Sequence, residues 1–489
     1  MTTSDLATPR DHADLVLRGG IVLALDPAGT RAEAVAVRNG RIVAVGSVAE
    51  VSEWIGDTTR VMELAGRAVI PGINDSHLHA CWLGARWPHT FFGASADTSA
   101  SADAPASAEA PEGEGQLAPG PLVTNRDERR AAILRAGRLL TEMGITSYTE
   151  PGLGPGEDDG ETGCFHNEVL DVYRELAAEG DLLQRVTALA LYGVLDGPSD
   201  LATVVAGIEG LAHARERAEK DPDPAWLNIP GVKIFGDLIP LSRQAWTNRT
   251  YNDGTHGDLL VEGASLEQKA ADLAAMIRAA HAAGLQLGVH ATGDRTIQLV
   301  IDAISEAAAQ PGAQPTAALS HTIIHGDLAT AEQIDELARL GIWLNAQSGI
   351  AAHTHDWLAA VMDDAGAAEA WRYGDALAAG VLVLSSDAPV LGFDWRRGIA
   401  DAEARIVRAG ASTDSAARES RLLGLLRAYT AVPAEQDRAA EWKGTIEVGK
   451  VADLAILAAN PFDVGAPGLP GVDIDATVLD GRVVFERSQ

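Results

Sequence analysis

With 489 residues, 46% of them hydrophobic and 22% charged, the chain has the composition of a globular protein and the length for one large domain with a smaller companion. Acidic residues outnumber basic ones 69 to 38, for a formal net charge of −31, which argues against the basic stripe that a nucleic-acid partner needs. Two cysteines, Cys81 and Cys164, allow at most one disulfide; with no leader-like N-terminus and no apolar run of the roughly 18 residues that span a bilayer, the expectation is a cytoplasmic protein that engages no membrane.

The first seventy residues predict short strands at 16–22, 34–37 and 41–45, the last two joined at Asn39-Gly40, a type I′ hairpin signal. Stretches 444–457 and 476–485, the latter turning at Asp480-Gly481, have the same character. Chain ends lie close together in most domains, so residues 1–70 and 436–489 are expected to form one small β-sandwich into which 71–435 is inserted. The inserted part alternates: strand-like runs at 69–74, 145–150, 185–191, 231–235, 285–290, 318–325, 342–346 and 381–386 are separated by stretches with helical spacing. Among the latter are 126–143, 266–283 before Gly284 and 331–340 before Gly341. That repeat predicts an α/β fold, a (β/α)8 TIM barrel. Residues 93–121 break the rhythm with Ala, Ser, Pro, Gly and acids. They carry too little apolar surface to offset chain entropy and are expected to be a mobile insertion, either a lid over the active-site face or a solvated loop without a role.

Potential ligands fall at the ends of the barrel runs: His77-Leu78-His79 after the first, Lys233 in the fourth, His290 closing the fifth, His325 closing the sixth and Asp387 after the eighth. Residues two apart in an extended chain point the same way, so His77 and His79 can chelate one ion. A lone histidine is more often a core or surface residue, but repeated placement at strand ends of a parallel barrel is the pattern of a metal site. By the same spacing His321, four residues before His325, is expected on the same side and deeper, as a partner of the ligands on the substrate side. Glu150 either reaches the pocket or closes its strand, Cys81 reads as a packed thiol, and His353-Thr354-His355, in the expected loop after the seventh strand, as pocket rim or surface.

The strings PGINDSHLHA, VHATGDRTI, SHTIIH, SSDAPV and GTIEVGKVADLAILAANPF, in this order, resemble the motifs of the amidohydrolase superfamily, most nearly amidohydrolase family 3, the YtcJ-like and N-substituted formamide deformylase group. The resemblance implies a metal-dependent hydrolase of an amide, N-substituted formamide or cyclic amide. It implies His77, His79 and Asp387 on a buried divalent ion, His290 and His325 on a more exposed one, and Lys233 as a carbamate bridging the two. There would be two ions, zinc by default, if Lys233 is carbamylated, and one otherwise. Asp387, Lys233 and His325 take the catalytic roles, Asp387 as general base toward a metal-bound hydroxide. Ser242 and Arg243 resemble a pocket-lining segment, where Arg243 meets a substrate carbonyl or carboxylate or forms a structural ion pair. The expected partner is a small molecule, and a homodimer is the commonest assembly. Two departures stand out: DLIPLSRQAW after Lys233 is bulkier than the usual segment, and Ile324 replaces an acid common before the sixth-strand histidine. Rival readings are a mononuclear deaminase of a heterocycle, a decarboxylase on the same scaffold and a catalytically silent regulatory relative. The deaminase needs a glutamate near His290 that the sequence does not offer.

Overall fold

A computed structural model of the protein describes residues 12–92, 120–216 and 223–488; of the expected insertion 93–121, all but Gly120 and Pro121 lie outside the described residues. Strands β1 (Leu15–Leu23), β2 (Arg31–Arg38), β3 (Arg41–Gly46), β4 (Arg60–Glu63) and β5 (Ala68–Pro71) precede the barrel strands. Those are β6 (Ile73–Asp75), β7 (Ile145–Leu153), β8 (Arg185–Leu191), β9 (Leu227–Phe235), β10 (Gln286–Ala291), β11 (Thr322–His325), β12 (Trp343–Ala346) and β13 (Leu382–Leu384). After them come β14 (Leu454–Leu457), β15 (Ile474–Leu479) and β16 (Arg482–Glu486).

Both chain ends share one mixed eight-stranded sheet, in the order β16-β15-β14-β5-β1-β2-β3 with β4 beside β1. Asn39-Gly40 and Asp480-Gly481 are the two-residue turns expected, each with both φ positive (51° and 73°; 50° and 76°). The sheet folds over itself: Ile42 N donates to Lys450 O at 2.9 Å and Ala452 N to Gly40 O at 2.8 Å. Leu17, Val35, Val37, Leu454, Ile456 and Val478 are buried in a common core inside it.

Strands β6 to β13 form the second sheet in sequence order, every neighbouring pair parallel. Its first and last members meet beyond their ends, where Asp387 N donates to His77 O (2.7 Å) and His79 N to Ala388 O (2.8 Å), closing the barrel at its C-terminal rim. Arg185, at the start of β8, ties the barrel to the terminal sheet through Asp453 (2.7 Å) and Asp480 (3.0 Å), its guanidinium lying over the rings of Trp226 and Trp442. No helix of the described residues is long and apolar enough to cross a membrane.

Three local expectations are corrected. The run 69–74 splits, with Ala68–Pro71 in the terminal sheet and Ile73–Asp75 in the barrel. Gly72 makes the step between them, where a Cβ would lie 2.1 Å from Thr146 Oγ1. The run 318–325 is a strand only from Thr322, because Thr316–Leu319 is a helical turn led in by Pro315 and ended by Ser320 at φ 53°. His353-Thr354-His355, expected in a loop, lie in the helix Ser348–Val361.

Candidate metal centre at the barrel rim

Parallel barrel strands deliver their last residues to one rim, and the structure brings His77, His79, Lys233, His290, His325 and Asp387 together there, along one cavity of about 470 Å³. His77 Nε2 and His79 Nε2 lie 3.2 and 3.3 Å from the same Asp387 Oδ1, and one donor atom from each of the three falls within 4.8 Å of the others. The His325 ring is centred 5.3 Å from that of His77 and 4.4 Å from that of His290. Lys233, 3% exposed, holds its Nζ 4.7 Å from the centre of the Phe235 ring, which stacks on His290.

Backbone irregularity aims two of these side chains. Thr322 and Ile324 face the barrel interior, so strict alternation would turn His325 outward. A left-handed φ of 73° returns it to the cavity, and Asp387 reaches in from φ 57°. Hydrogen bonds then fix the rings. His79 Nδ1 donates to Glu150 Oε1 (2.9 Å), while Glu150 Oε2 accepts from Ala80 N (2.6 Å) and the Tyr173 hydroxyl (3.1 Å). His325 Nδ1 donates to Gln347 Oε1 (2.7 Å), whose amide nitrogen is anchored on Asn345 Oδ1 and Ser385 Oγ, both at 2.9 Å. Buried Asp237 accepts from Thr292 N, Gly293 N and Trp246 N (2.9, 2.9 and 3.1 Å), which locks the loop after β9 to the one after His290.

Burial lowers His77 to about 4 and holds His290 and His325 well below the ordinary histidine range, so these rings are neutral, as ligands must be. Burial also draws Lys233 down to about 8, against the pull of Asp387 and Asp196. At Asp387 burial opposes the charge, yet His77, His79 and His325 keep its carboxyl well below the usual carboxylate range. His79 differs: burial disfavours its charge, but Asp387 and Glu150 carry it up to about 9. Buried His77 Nδ1 and His290 Nδ1 have no hydrogen-bond partner among the described residues. Imidazoles converging on a carboxylate, three of them held neutral, are the donor set that a divalent ion of zinc type accepts, so the residues present fit a metal.

Three expected site residues are not brought in. Ser242 Oγ donates back to Ile239 O (2.9 Å), and half-buried Arg243 donates to Asn252 Oδ1 (3.0 Å) with Asp253 at 3.7 Å; their neighbours Ile239, Pro240 and Leu241 line the cavity instead. His321, 0% exposed, directly precedes β11 at the end away from the cavity, and the left-handed turn at His325 breaks the even spacing that would put both on one side. It accepts from Leu287 N at Nδ1 (3.1 Å) and donates from Nε2 to His281 Nδ1 (2.9 Å), whose Nε2 donates to Gln314 O (3.2 Å). Cys81 and Cys164 are buried free thiols. His353 packs on Phe92 and Trp357 at the rim, while His355 pairs with exposed Asp356.

Sequence reasoning passed over Gln347, Asp237, Asp196 and Asp327, and left Glu150 open. Gln347 directly follows β12, so the rule that singled out the histidines would have found it; Asp196, in the loop after β8, carries no such signal.

A family model described as Amidohydrolase family matches residues 90–485, a span that begins after His77 and His79. The putative amidohydrolase YtcJ of Bacillus subtilis (strain 168) is 25% identical, the alignment covering 97% of this chain and 99% of that one. N-substituted formamide deformylase of Arthrobacter pascens is 24% identical over 97% and 99%. Among solved structures, an uncharacterized metal-dependent hydrolase from Pyrococcus furiosus superposes with a TM-score of 0.65 at 20% identity, covering 92% of this chain and 99% of that one.

Proposed function

This chain belongs to the amidohydrolase family, and we propose that it hydrolyses a non-peptide carbon–nitrogen bond of a small molecule: an amide, an N-substituted formamide or a cyclic amide. The observation that carries the reading is the convergence of four imidazoles, Asp387 and Lys233 at the floor of one cavity. The likeness to a formamide deformylase along nearly the whole chain supports the same bond type.

His77, His79 and Asp387 would hold the first divalent ion and His290 and His325 a second, zinc being the metal their nitrogen and oxygen donors suit. Lys233 as a carbamate would bridge the two, and without that modification one ion is expected. Burial disfavours its ammonium and so favours the neutral amine that carbamylation requires. Bound metal supplies Lewis-acid polarisation of a carbonyl and lowers the pKa of a water from roughly 15.7 to about 7.

The chain's own groups do the rest. The Asp387 carboxylate accepts the proton of the attacking water and returns it to the leaving nitrogen. Glu150 and Gln347 hold the His79 and His325 rings so that each Nε2 faces the centre. Phe235, stacked on His290 and beside Lys233, gives the centre apolar surface, which strengthens every charge interaction there. The deaminase reading is disfavoured, since the helix Asp294–Ala308 after His290 opens with Asp294, held by Asn248 N and Nδ2 (both 2.8 Å), and brings no glutamate to His290.

Metal analysis of the purified protein and an assay on N-formyl amines, N-acyl amines and lactams test the reading. The expectation is bound metal, turnover of at least one class, and a kcat/KM lower by about 10²- to 10⁴-fold in Asp387→Asn. Full activity in metal-free protein, or an unaffected variant, would falsify it.

A further inference from the structure

The cavity above the centre is lopsided in charge. Beyond the centre its charged lining groups are Glu157, Glu161, Asp196 and Asp327, and among the described residues no Arg, and no Lys other than Lys233, lines it. Residues 93–119, outside the described set, contain no Lys, Arg or His, so they add no cation.

Two of the four acids are engaged: Glu157 Oε1 accepts from Leu195 N (2.8 Å) and Asp327 Oδ1 from Trp371 Nε1 (3.0 Å). Asp196 and Glu161 make no hydrogen bond or ion pair with any described residue. Asp196, at φ 51° in the loop after β8, is exposed and lines the same cavity as Lys233 and Asp387, so its carboxylate faces the space a substrate must enter.

The apolar wall is aromatic and continuous. From His79 the rings run to Phe165 (5.0 Å), Trp82 (5.6 Å further) and Phe91 (6.0 Å beyond Trp82). Aromatic faces that share a cavity with carboxylates free of hydrogen-bond partners attract an organic cation, whereas an anion held away from the centre would lose its water and meet the like charge of Glu157, Glu161, Asp196 and Asp327.

We propose that the substrate is an amide whose end remote from the scissile bond carries an aromatic or alkyl body with a protonated amine, recognised by Asp196 and the Trp82–Phe91–Phe165 rings. The inference rests on the amide-hydrolase reading above and adds to it the charge of the substrate. It places amides with a remote carboxylate among the poor substrates.

Three N-formyl phenethylamines that differ only in the para group, methyl, aminomethyl or carboxylate, read that charge while the formyl end stays the same. With the metal-loaded enzyme at low ionic strength, kcat/KM for the ammonium-bearing amide is expected to exceed that of the methyl compound by roughly tenfold or more, with the carboxylate lowest and added salt narrowing the spread. Asp196→Asn, a residue that tolerates a left-handed φ, is expected to bring the ammonium-to-methyl ratio close to one. Equal rates for those two amides, or a ratio that survives Asp196→Asn, overturn the inference and leave the amide reading standing. If no amide is hydrolysed the amide reading fails, and calorimetric titration decides the pocket's preference on its own. Benzyltrimethylammonium binding roughly tenfold more tightly than benzyl alcohol, with the difference lost in Asp196→Asn, supports it; equal binding overturns it.

Discussion

His325 closes β11 and His321 directly precedes it, and the two have opposite fates. At the rim, His325 keeps one ring nitrogen on Gln347 and turns the other to the centre. At the base, His321 spends both nitrogens, one accepting from Leu287 N and one donating to His281. Burial keeps both rings neutral, so charge does not separate them. What separates a ligand histidine from a structural one is the hydrogen-bonding capacity left unused, and that follows from which strand end the residue occupies and which neighbours surround it.

Variants can break or sharpen that contrast. His325→Ala is expected to have the largest effect, a loss of about 10³-fold in kcat/KM together with metal, read by kinetics and elemental analysis, and only a small change in melting temperature. Gln347→Ala leaves His325 in place but free to turn, and is expected to lower metal affinity or activity by about 10- to 100-fold, as loss of an outer partner of a ligating histidine does. His321→Leu is expected to do the reverse: kcat/KM within about twofold of the parent, and unfolding free energy lower by about 1–3 kcal/mol, because Leu287 N and His281 Nδ1 lose their partner. A His321 variant that sheds metal would join the two histidines into one site and end the contrast.

The smallest effect is a pH slope. His321 in the folded protein is pushed down, chiefly by burial, to about 3 from its ordinary 6.5. The unfolded chain therefore binds a proton there first, and the stability gained by keeping the ring neutral is complete above pH 6.5 and lost as the pH falls toward about 3. That loss runs at up to about 1.4 kcal/mol per pH unit, and denaturant titrations of His321→Leu across this window are expected to show that part of the slope removed.

Much of the centre was legible because the chemistry uses positions that carry a local signal. His77, His79, His290, Lys233 and Asp387 each close or follow an apolar run, and a parallel barrel sends all such ends to one rim. His321 was misplaced by the same arithmetic, since counting by twos assumes an unbroken strand, and the positive φ at His325 and Ser320 breaks it on both sides. Ser242 and Arg243 resembled a lining segment, yet the three residues before them took that place, Arg243 itself standing at φ 58° with its side chain on Asn252. Gln347 and Glu150 were harder to assign because their importance lies in what they touch, across 22 and 71 residues of sequence.

By itself the sequence determined the alternation of strands and helices, the pairing of both chain ends into one sheet and the residue types of the centre. These depend on periodicity, turn residues and strand-end position, all encoded within a few neighbouring residues. Only the tertiary structure decided which histidine keeps an unused nitrogen and which carboxylates stand without a partner. Only there did the cavity prove to be walled by aromatic rings and, among the described residues, lined by no Arg and by no Lys beyond Lys233. Those properties are sums over groups from separate loops, and no stretch of chain contains them until the barrel closes.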